Sequence, residues 1–298
     1  MSAPRNFLGL PPGDSDPKKA AVRILPVPYE ATVSYLGGTK NGPQAIIDAS
    51  RAIELYDTEL DDEPYDIGVH TLPEVALTGA GPEQAMKELR RAYAKAATPG
   101  ALTIMLGGEH SISSPPIQEH VDRLRKKKRS LSVLQFDAHG DLRDVWEGTP
   151  FSHACVMRRI CEDVTLVQVG IRAISSEEVA LMKKNRKQIT TIFAEELDTT
   201  DDWQDRAVDA LGADVYITID VDYFDPSLVP STGTPEPGGG QWYPALQLLK
   251  RVFAERNVVG VDVVELAPIP GLAAPDFLVA KLIYKIIGYY KQGRRKAR

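Results

Sequence analysis

The chain has 298 residues, of which 43% are hydrophobic and 26% are charged, and its formal net charge is −6. These values are ordinary for a soluble globular protein, and a chain with this negative charge is not expected to bind nucleic acid. Its longest apolar runs are too short to cross a bilayer, so no membrane partner is expected either.

Further features of the sequence predict the cellular location of the protein and its domain organisation. Residues 1–16 lack the basic flank and apolar core of a signal peptide. Cys155 and Cys161, expected in a helix, have the spacing of neither a disulfide framework nor a zinc site. A cytoplasmic location therefore fits best. No repeat or linker divides the sequence, so we expect a single domain over 1–298, with an N-terminal extension at 1–20 and a basic tail at 292–298.

The basic tail and a second basic run at 125–129 could each contact an anionic partner. Neither run has the aromatic or groove-reading neighbours of a nucleic-acid site. We interpret the run at 125–129 as a solvated helix end that precedes a buried strand, and the tail as a frayed terminus.

Apolar runs alternate along the chain with amphipathic stretches. The apolar runs cover residues 22–25, 102–106, 131–136, 164–169, 190–193, 215–219 and 258–264. The amphipathic stretches include 83–97, 177–187 and 245–255. Nearly continuous apolar runs are typical of parallel strands that helices cover on both faces. The pattern predicts an α/β sandwich around a mainly parallel sheet, with residues 66–77 as a candidate for one further strand.

Polar side chains follow four of these runs. The sequence Gly-Gly-Glu-His-Ser occupies 107–111, Asp-Ala-His-Gly-Asp occupies 137–141, Asp-Val-Asp occupies 220–222, and Glu265 follows the last run. The carboxyl ends of parallel strands lie at one edge of a sheet. Two histidines, four aspartates and a glutamate are therefore expected to converge at that edge.

The motif at 137–141 is typical of a metal site. Alternate residues of an extended chain point to the same side, and Asp137, His139 and Asp141 are hard or borderline ligands. A polar loop that caps the next helix is the alternative interpretation. The aspartates from Asp220 to Asp225 do not fit a calcium-binding EF loop, because the sixth loop position is not glycine. They also lack the Gly-Thr turn expected after a phosphatase nucleophile.

The number of ligands predicts two metal ions. Two imidazoles and four carboxylates exceed the needs of one open site and suit two divalent ions with bridging carboxylates. Oxygen-rich ligands without thiolate favour manganese, or a similar hard ion, over structural zinc. The expected cofactor is therefore two Mn²⁺ ions per chain.

Three motifs of the chain together resemble the signatures of the ureohydrolase family, which includes arginases, agmatinases and formiminoglutamases. They are Gly-Gly-Glu-His-Ser, Asp-Ala-His-Gly-Asp-Leu-Arg and Asp-Val-Asp-Tyr-Phe-Asp-Pro-Ser, and the similarity runs from residue 27 to residue 268. The resemblance implies a three-layer α/β/α sandwich with an eight-stranded sheet, known as the arginase-like fold. It also implies two manganese ions and a homo-oligomer, commonly a trimer or hexamer.

The resemblance assigns roles to individual residues. It implies six metal ligands, namely His110 and Asp141 on one ion, His139 and Asp222 on the other, and Asp137 and Asp220 bridging both. Ser-His-Ala at 152–154 is similar to the segment where agmatinases carry a catalytic histidine, which gives that role to His153. Glu265 matches the glutamate that contacts the guanidinium group of the substrate.

The expected reaction is hydrolysis of a guanidinium group by a hydroxide that bridges the two metal ions. Asp141 would orient the hydroxide. His153 would deliver or shuttle the proton that the leaving amine needs, since an ordinary pKa of about 6.5 suits both tasks. Four aspartates balance two divalent ions, so the hydroxide and Glu265 leave the pocket negative, which suits a cationic small molecule.

Agmatine is the expected substrate and would give putrescine and urea. Arginases typically carry Asn two residues after the last Asp of the second motif, where this chain has Arg143. N1-aminopropylagmatine is a close alternative, and guanidinobutyrate or guanidine also stays open. Arg143 could attract a carboxylate, such as that of guanidinobutyrate. The sequence fixes neither the role of Arg143 nor that of the loop at 230–236.

Two alternatives belong to other functional classes. One is a zinc-dependent amide deacetylase of the same general fold, against which the surplus of carboxylates argues. The other is a catalytically silent relative that works by binding, against which the complete set of six ligands argues.

Overall fold

The computed structural model describes residues 5–296 of the chain. Residues 1–4 of the predicted extension and 297–298 of the predicted tail lie outside this range. Within the extension, Phe7–Gly9 forms a 3-10 helix, and Phe7, Leu8 and Leu10 are buried. The extension therefore contributes apolar side chains to the core of the protein.

In the described residues 5–296, eight strands form one sheet, and every strand pair in it is parallel. The strands are β1 (Val22–Val27), β2 (Val69–Thr71), β3 (Leu102–Gly107), β4 (Ser132–Phe136), β5 (Thr165–Ile171), β6 (Ile189–Phe193), β7 (Asp214–Asp220) and β8 (Asn257–Val264). Their order across the sheet is β2-β1-β3-β8-β7-β4-β5-β6. The seven predicted strands are confirmed, and β2 lies within the candidate segment at 66–77.

Helices cover both faces of the sheet. The α-helices are α1 (Gly42–Ser50), α2 (Pro82–Ala96), α3 (Ser114–Arg125), α4 (Ser176–Lys184), α5 (Glu196–Thr199), α6 (Trp203–Ala210), α7 (Trp242–Glu255) and α8 (Ala274–Lys296). Apolar residues of α1, α6, α7 and α8 belong to one core cluster, and those of α2, α3 and α4 belong to another. Successive strand residues such as Val133 and Leu134 fall in different clusters. The two clusters therefore lie on opposite faces, which confirms the three-layer α/β/α fold.

The helix predicted around the two cysteines is wrong. Cys155 ends a short 3-10 helix, His153–Cys155, and Cys161 lies in a turn before β5. The backbone N–H groups of Met157 and Arg158 both donate to the Asp141 carbonyl, at 3.0 and 3.1 Å. These long-range hydrogen bonds tie the segment to Asp141, so its apolar residues reflect a buried loop rather than a helix.

The two basic runs differ from each other. The run at 125–129 is the predicted helix end, because α3 ends at Arg125 before β4 begins. The prediction of a frayed tail is wrong up to residue 296, because α8 continues to Lys296. Arg295 Nη1 lies 3.0 Å from Asp62 Oδ2, which holds the helix end on the protein. Within residues 5–296, no helix combines the length and apolarity that a membrane span needs.

Lysine side chains of α8 stabilise the segment that contains Asp57. Lys285 Nζ lies 2.8 Å from Asp57 Oδ1 and 2.8 Å from Glu59 Oε2, and Asp57 is 1% exposed. The Lys285→Met substitution would leave the Asp57 carboxylate buried without its cation. We expect it to lower the free energy of unfolding by about 3–5 kcal/mol, measured by urea unfolding.

Lys250→Met is the matched control for this prediction. Lys250 Nζ lies 2.9 Å from Glu59 Oε1, but its side chain is 45% exposed. An exposed ion pair contributes at most about 1 kcal/mol. Equal losses of stability in the two variants would show that the buried position of Lys285 gives it no special role.

Candidate metal centre

The predicted site residues lie at the carboxyl ends of four strands that are neighbours in the sheet. His110 follows β3, Glu265 follows β8, Asp220 ends β7, and Asp137 follows β4. The order β3-β8-β7-β4 makes these ends adjacent. The predicted convergence at one edge of the sheet is therefore confirmed.

His110 lies at the centre of one group of carboxylates. Its Nδ1 atom is 3.1 Å from Asp137 Oδ2, 3.0 Å from Asp141 Oδ2 and 3.4 Å from Asp220 Oδ2. All four side chains are buried. A ring nitrogen that faces three carboxylate oxygens at these distances is an arrangement suited to a shared cation.

His139 lies at the centre of a second, adjoining group. Its Nδ1 atom is 2.8 Å from Asp222 Oδ2 and 3.6 Å from Asp137 Oδ1. The two oxygens of Asp137 thus face different histidines, as the oxygens of a bridging carboxylate would. Among residues 5–296, two residue groups have the spacing to hold an ion, namely His110, Asp137 and Asp220, and Asp137, His139 and Asp222.

The six predicted ligands are therefore brought together, while their assignment as ligands stays a prediction. Asp137 belongs to both groups, but Asp220 belongs to the first alone. Asp141 belongs to neither group, although it lies 3.0 Å from His110 Nδ1. Asp225 lies outside the cluster, because its carboxylate accepts hydrogen bonds from the backbone N–H groups of Ser227 and Gly238.

The hydrogen bonds behind His110 indicate which ring nitrogen carries the proton. The Thr218 hydroxyl donates to Asp262 Oδ1 at 2.6 Å, so it accepts from His110 Nε2 at 2.8 Å. This places the proton of a neutral imidazole on Nε2 and leaves a lone pair on Nδ1. Among residues 5–296, the buried Nδ1 atom has no hydrogen-bond partner. A lone pair amid carboxylate oxygens fits a divalent metal ion, as the arginase-like fold implies.

Two of the carboxyl groups in the cluster, those of Asp220 and Asp141, resist ionisation. Burial and the neighbouring charges of Asp222 and Asp137 raise the pKa of Asp220 well above its ordinary value. Burial and the charge of Asp137 raise the pKa of Asp141 to about 7. Bound divalent cations would favour the ionised forms of both groups. The charge of the cluster therefore also fits metal binding.

Two residues of the site have backbone angles that side chains seldom adopt. Asp141 has φ 53° and Glu265 has φ 65°. Such strain is concentrated at functional sites, where the surrounding structure maintains it. Glu265 is held by two hydrogen bonds, from its own N–H to Gly108 O at 2.8 Å and from His110 N–H to its Oε1 at 2.6 Å. A Cβ atom at Gly108 would lie 1.9 Å from Tyr29 O, so glycine is required there.

Glu109 organises the loop that follows β1, a role that the sequence did not indicate. Its buried carboxylate accepts from Ala31 N at 2.6 Å, from Thr32 N and Thr32 Oγ1 at 2.7 Å, and from Ser111 Oγ at 2.6 Å. In the sequence, His110 marks this motif as a candidate ligand site. No contact could be predicted for Glu109, the residue before it. The contacts bring Thr32 next to His153.

His153 lies beside the cluster and is held by the β1 loop. Its Nδ1 atom lies 3.4 Å from Thr32 Oγ1, and its Nε2 atom lies 3.1 Å from Ser34 Oγ. Burial lowers the pKa of His153 below its ordinary value, although the nearby Glu109 carboxylate acts in the opposite direction. The neutral imidazole is therefore favoured at neutral pH.

A cavity of about 290 Å³ adjoins the cluster. It shares five lining residues with the cleft that contains His110, Asp220 and Glu265, namely Ser34, His139, Asp141, His153 and Thr234. Farther from the cluster, its lining includes Arg143, Trp146 and Glu236. The cavity can therefore hold the remainder of a small molecule whose reacting group lies at the cluster.

Comparisons with known proteins identify relatives of this chain. A model of the arginase family matches residues 20–288. An N(1)-aminopropylagmatine ureohydrolase of Synechocystis sp. is 38% identical over 284 residues, which cover 93% of this chain and 91% of that protein. An agmatinase of Pyrococcus horikoshii is 35% identical over 280 residues, which cover 92% of this chain and 93% of that protein.

A solved structure has the same fold as this chain. The agmatine ureohydrolase of Thermoplasma volcanium matches with a TM-score of 0.85 at 25% identity, covering 99% of this chain and 97% of that chain. The predicted arginase-like fold is therefore confirmed. This chain belongs to the arginase family, and it is an agmatinase-like ureohydrolase.

Proposed function

We propose that this enzyme releases urea from agmatine, leaving putrescine, with two manganese ions per chain as its cofactor. The observation that carries the proposal is the pair of ligand groups that share Asp137 next to a cavity of about 290 Å³. Carboxylate and imidazole ligands without thiolate favour manganese over structural zinc. The ions, when bound, would supply a hydroxide nucleophile at neutral pH.

Glu265 would hold the guanidinium group. Its Oε1 atom already accepts from His110 N at 2.6 Å, which fixes the orientation of the carboxylate. Oε2 keeps its lone pairs for the substrate. A planar guanidinium forms strong, charge-assisted hydrogen bonds with such a carboxylate. The guanidinium carbon would thereby be held next to the carboxylates of the cluster.

His153 would manage the proton that the leaving amine requires. The favoured neutral imidazole can accept a proton and then donate it, which is the task of a general acid–base residue. The Trp146 indole N–H donates to Ser34 Oγ at 2.9 Å, so Ser34 can donate its own proton to His153 Nε2. This arrangement holds the ring in place between the cluster and the cavity. Asp141 would accept a hydrogen bond from the nucleophile and orient it.

N1-aminopropylagmatine is a second candidate substrate. Four relatives with the name N(1)-aminopropylagmatine ureohydrolase are 34–38% identical to this chain. The longer substrate has the same guanidinium end and a longer cationic tail. It would therefore use the same cluster and extend farther through the cavity.

The proposal is tested by urea release from agmatine, aminopropylagmatine, arginine, guanidinobutyrate and guanidine. We expect the manganese-loaded enzyme to release urea fastest from agmatine or aminopropylagmatine, and the metal-stripped enzyme to release none. Urea from neither polyamine, despite bound metal, would refute the proposed substrate class. A preference for guanidinobutyrate would instead assign Arg143 to a carboxylate.

Four further properties remain proposals that rest on the family resemblance and the sequence. We propose that residues 1–298 act as one domain, that the chain forms a trimer or hexamer, and that it works in the cytoplasm without a nucleic-acid partner. Sedimentation equilibrium of the purified enzyme tests the oligomeric state, because a monomer at micromolar concentration would contradict it.

A further inference from the structure

One acidic residue that lines the cavity beside the cluster has a carboxylate without a partner among residues 5–296. Three acidic residues line this cavity, namely Asp141, Glu178 and Glu236. Asp141 faces His110, and both oxygens of Glu178 accept hydrogen bonds from the protein, including one from Leu142 N. The carboxylate of Glu236 has no hydrogen-bond or ion-pair partner in the described part of the chain.

The position of Glu236 is fixed relative to the cluster through Arg172. Arg172 Nη2 donates to Asp222 O at 2.6 Å and to Glu236 O at 2.8 Å, and Arg172 Nε donates to Glu236 O at 3.2 Å. One guanidinium thus joins the backbone of a predicted metal ligand to the backbone of Glu236. Because Arg172 binds backbone carbonyls, the Glu236 side chain stays available to another partner.

The loop that contains Glu236 is anchored on both sides. Before Glu236, the Ser231 carbonyl accepts from Ala267 N at 2.8 Å. After it, Asp225 Oδ2 accepts from Gly238 N at 3.0 Å, and Gly240 N donates to Tyr223 O at 2.8 Å. The loop therefore forms a wall of the cavity that is already in place before a ligand binds, which lowers the entropic cost of binding.

Arg143 is the cationic residue of the cavity lining, and it is held on the wall. Its guanidinium lies 4.4 Å from the centre of the Trp146 ring. Stacking of this kind stabilises the charge through the face of the ring. The tail of a substrate would therefore meet a fixed cation, held by Trp146, and a carboxylate without a partner.

We propose that Glu236 accepts the ammonium group in the tail of the substrate and so selects cationic tails over neutral or anionic ones. This inference rests on the proposed function, since it assumes that the guanidinium lies at the cluster and that the tail enters the cavity. Agmatine and aminopropylagmatine both carry an ammonium group in the tail. Glu236 would therefore act as a specificity residue for both candidate substrates.

The test compares agmatine with n-butylguanidine, which has the same chain length but no terminal ammonium. In manganese-loaded enzyme, we expect Glu236→Gln to lower the ratio of kcat/KM for agmatine to that for n-butylguanidine by about tenfold, mainly through KM. Glu177→Gln is the matched control, because Glu177 is an exposed acid on α4 that lies outside the cavity lining. Its ratio should stay within about twofold of the wild-type ratio.

A charge reversal gives an independent readout. The Glu236→Lys variant should improve guanidinobutyrate relative to agmatine, because a cation would then face the tail. An unchanged ratio in Glu236→Gln, or an equal loss on agmatine and n-butylguanidine, would overturn the role of Glu236 while leaving the proposed function intact. A wild-type enzyme that releases no urea from any of these compounds would overturn the proposed function and this inference together.

Discussion

The Asp137→Asn variant is expected to lose both metal ions and at least about 10³-fold of the urea-releasing activity. The two oxygens of Asp137 lie 3.1 Å from His110 Nδ1 and 3.6 Å from His139 Nδ1, so one substitution disturbs both ligand groups. Metal ions contribute several kcal/mol to transition-state stabilisation, and each 1.36 kcal/mol changes the rate about tenfold. Metal analysis after dialysis and steady-state urea release measure the two effects.

Asp225→Asn is the control for this prediction. Asp225 follows Asp220 and Asp222 in the same motif, but its carboxylate accepts backbone N–H bonds in the adjoining loop. We expect this variant to keep both ions. An Asp137→Asn enzyme that retained two ions and full turnover would contradict the assignment of Asp137 as the shared ligand.

The second large effect is expected for Thr218→Val, which should weaken metal binding about 10- to 100-fold. Valine has nearly the shape of threonine but cannot accept the hydrogen bond from His110 Nε2, which is 2.8 Å long. His110 would lose the partner that fixes its tautomer and ring orientation. Removal of such supporting contacts typically lowers metal affinity by this factor. A competition titration against a metal-sensitive dye measures the affinity directly.

Thr103→Val offers a matched control for the Thr218 variant. Thr103 lies on β3, is 1% exposed, and its hydroxyl has no hydrogen-bond partner among residues 5–296. The same isosteric change there should leave the metal affinity as it is. Equal weakening in both variants would attribute the effect to general core disturbance rather than to His110.

The sequence predicts the central sheet well because burial on both faces gives each strand a nearly continuous apolar run. Residues 102–106 and 258–264 illustrate this, since β3 and β8 match them closely. The strand β2 has three residues, Val69–Thr71, and its signal is too short to position. The prediction of a helix around Cys155 is wrong. The segment is not helical, because its backbone N–H groups bind the distant Asp141 carbonyl. No local pattern reports such a contact.

The site could be predicted wherever a residue directly follows a strand. His110, Asp137 and Glu265 converge for that reason, and the strand order makes them neighbours. The residues that support them could be identified only from the structure. Asp262 is an exception that the sequence indicates, because a carboxylate inside an apolar strand is costly unless it is hydrogen-bonded. Its partners are Thr218 and Tyr216, at 2.6 and 2.8 Å.

The far end of the cavity could not be predicted, because it depends on how loops pack. Arg143 and Glu236 come from loops that follow different strands, β4 and β7. The sequence alone left it open whether Arg143 would meet a carboxylate of the substrate. The stacking of Arg143 on Trp146 and the anchoring of Glu236 by Arg172 are long-range contacts.

The most direct test of the two-ion account is a titration of metal-free enzyme with Mn²⁺, in which bound metal and urea release from agmatine are measured in parallel. The account predicts binding of two ions per chain and activity that rises mainly as the second ion binds. Full activity at one ion per chain, or with a single zinc ion, would contradict the two-ion account, in which both ions share Asp137.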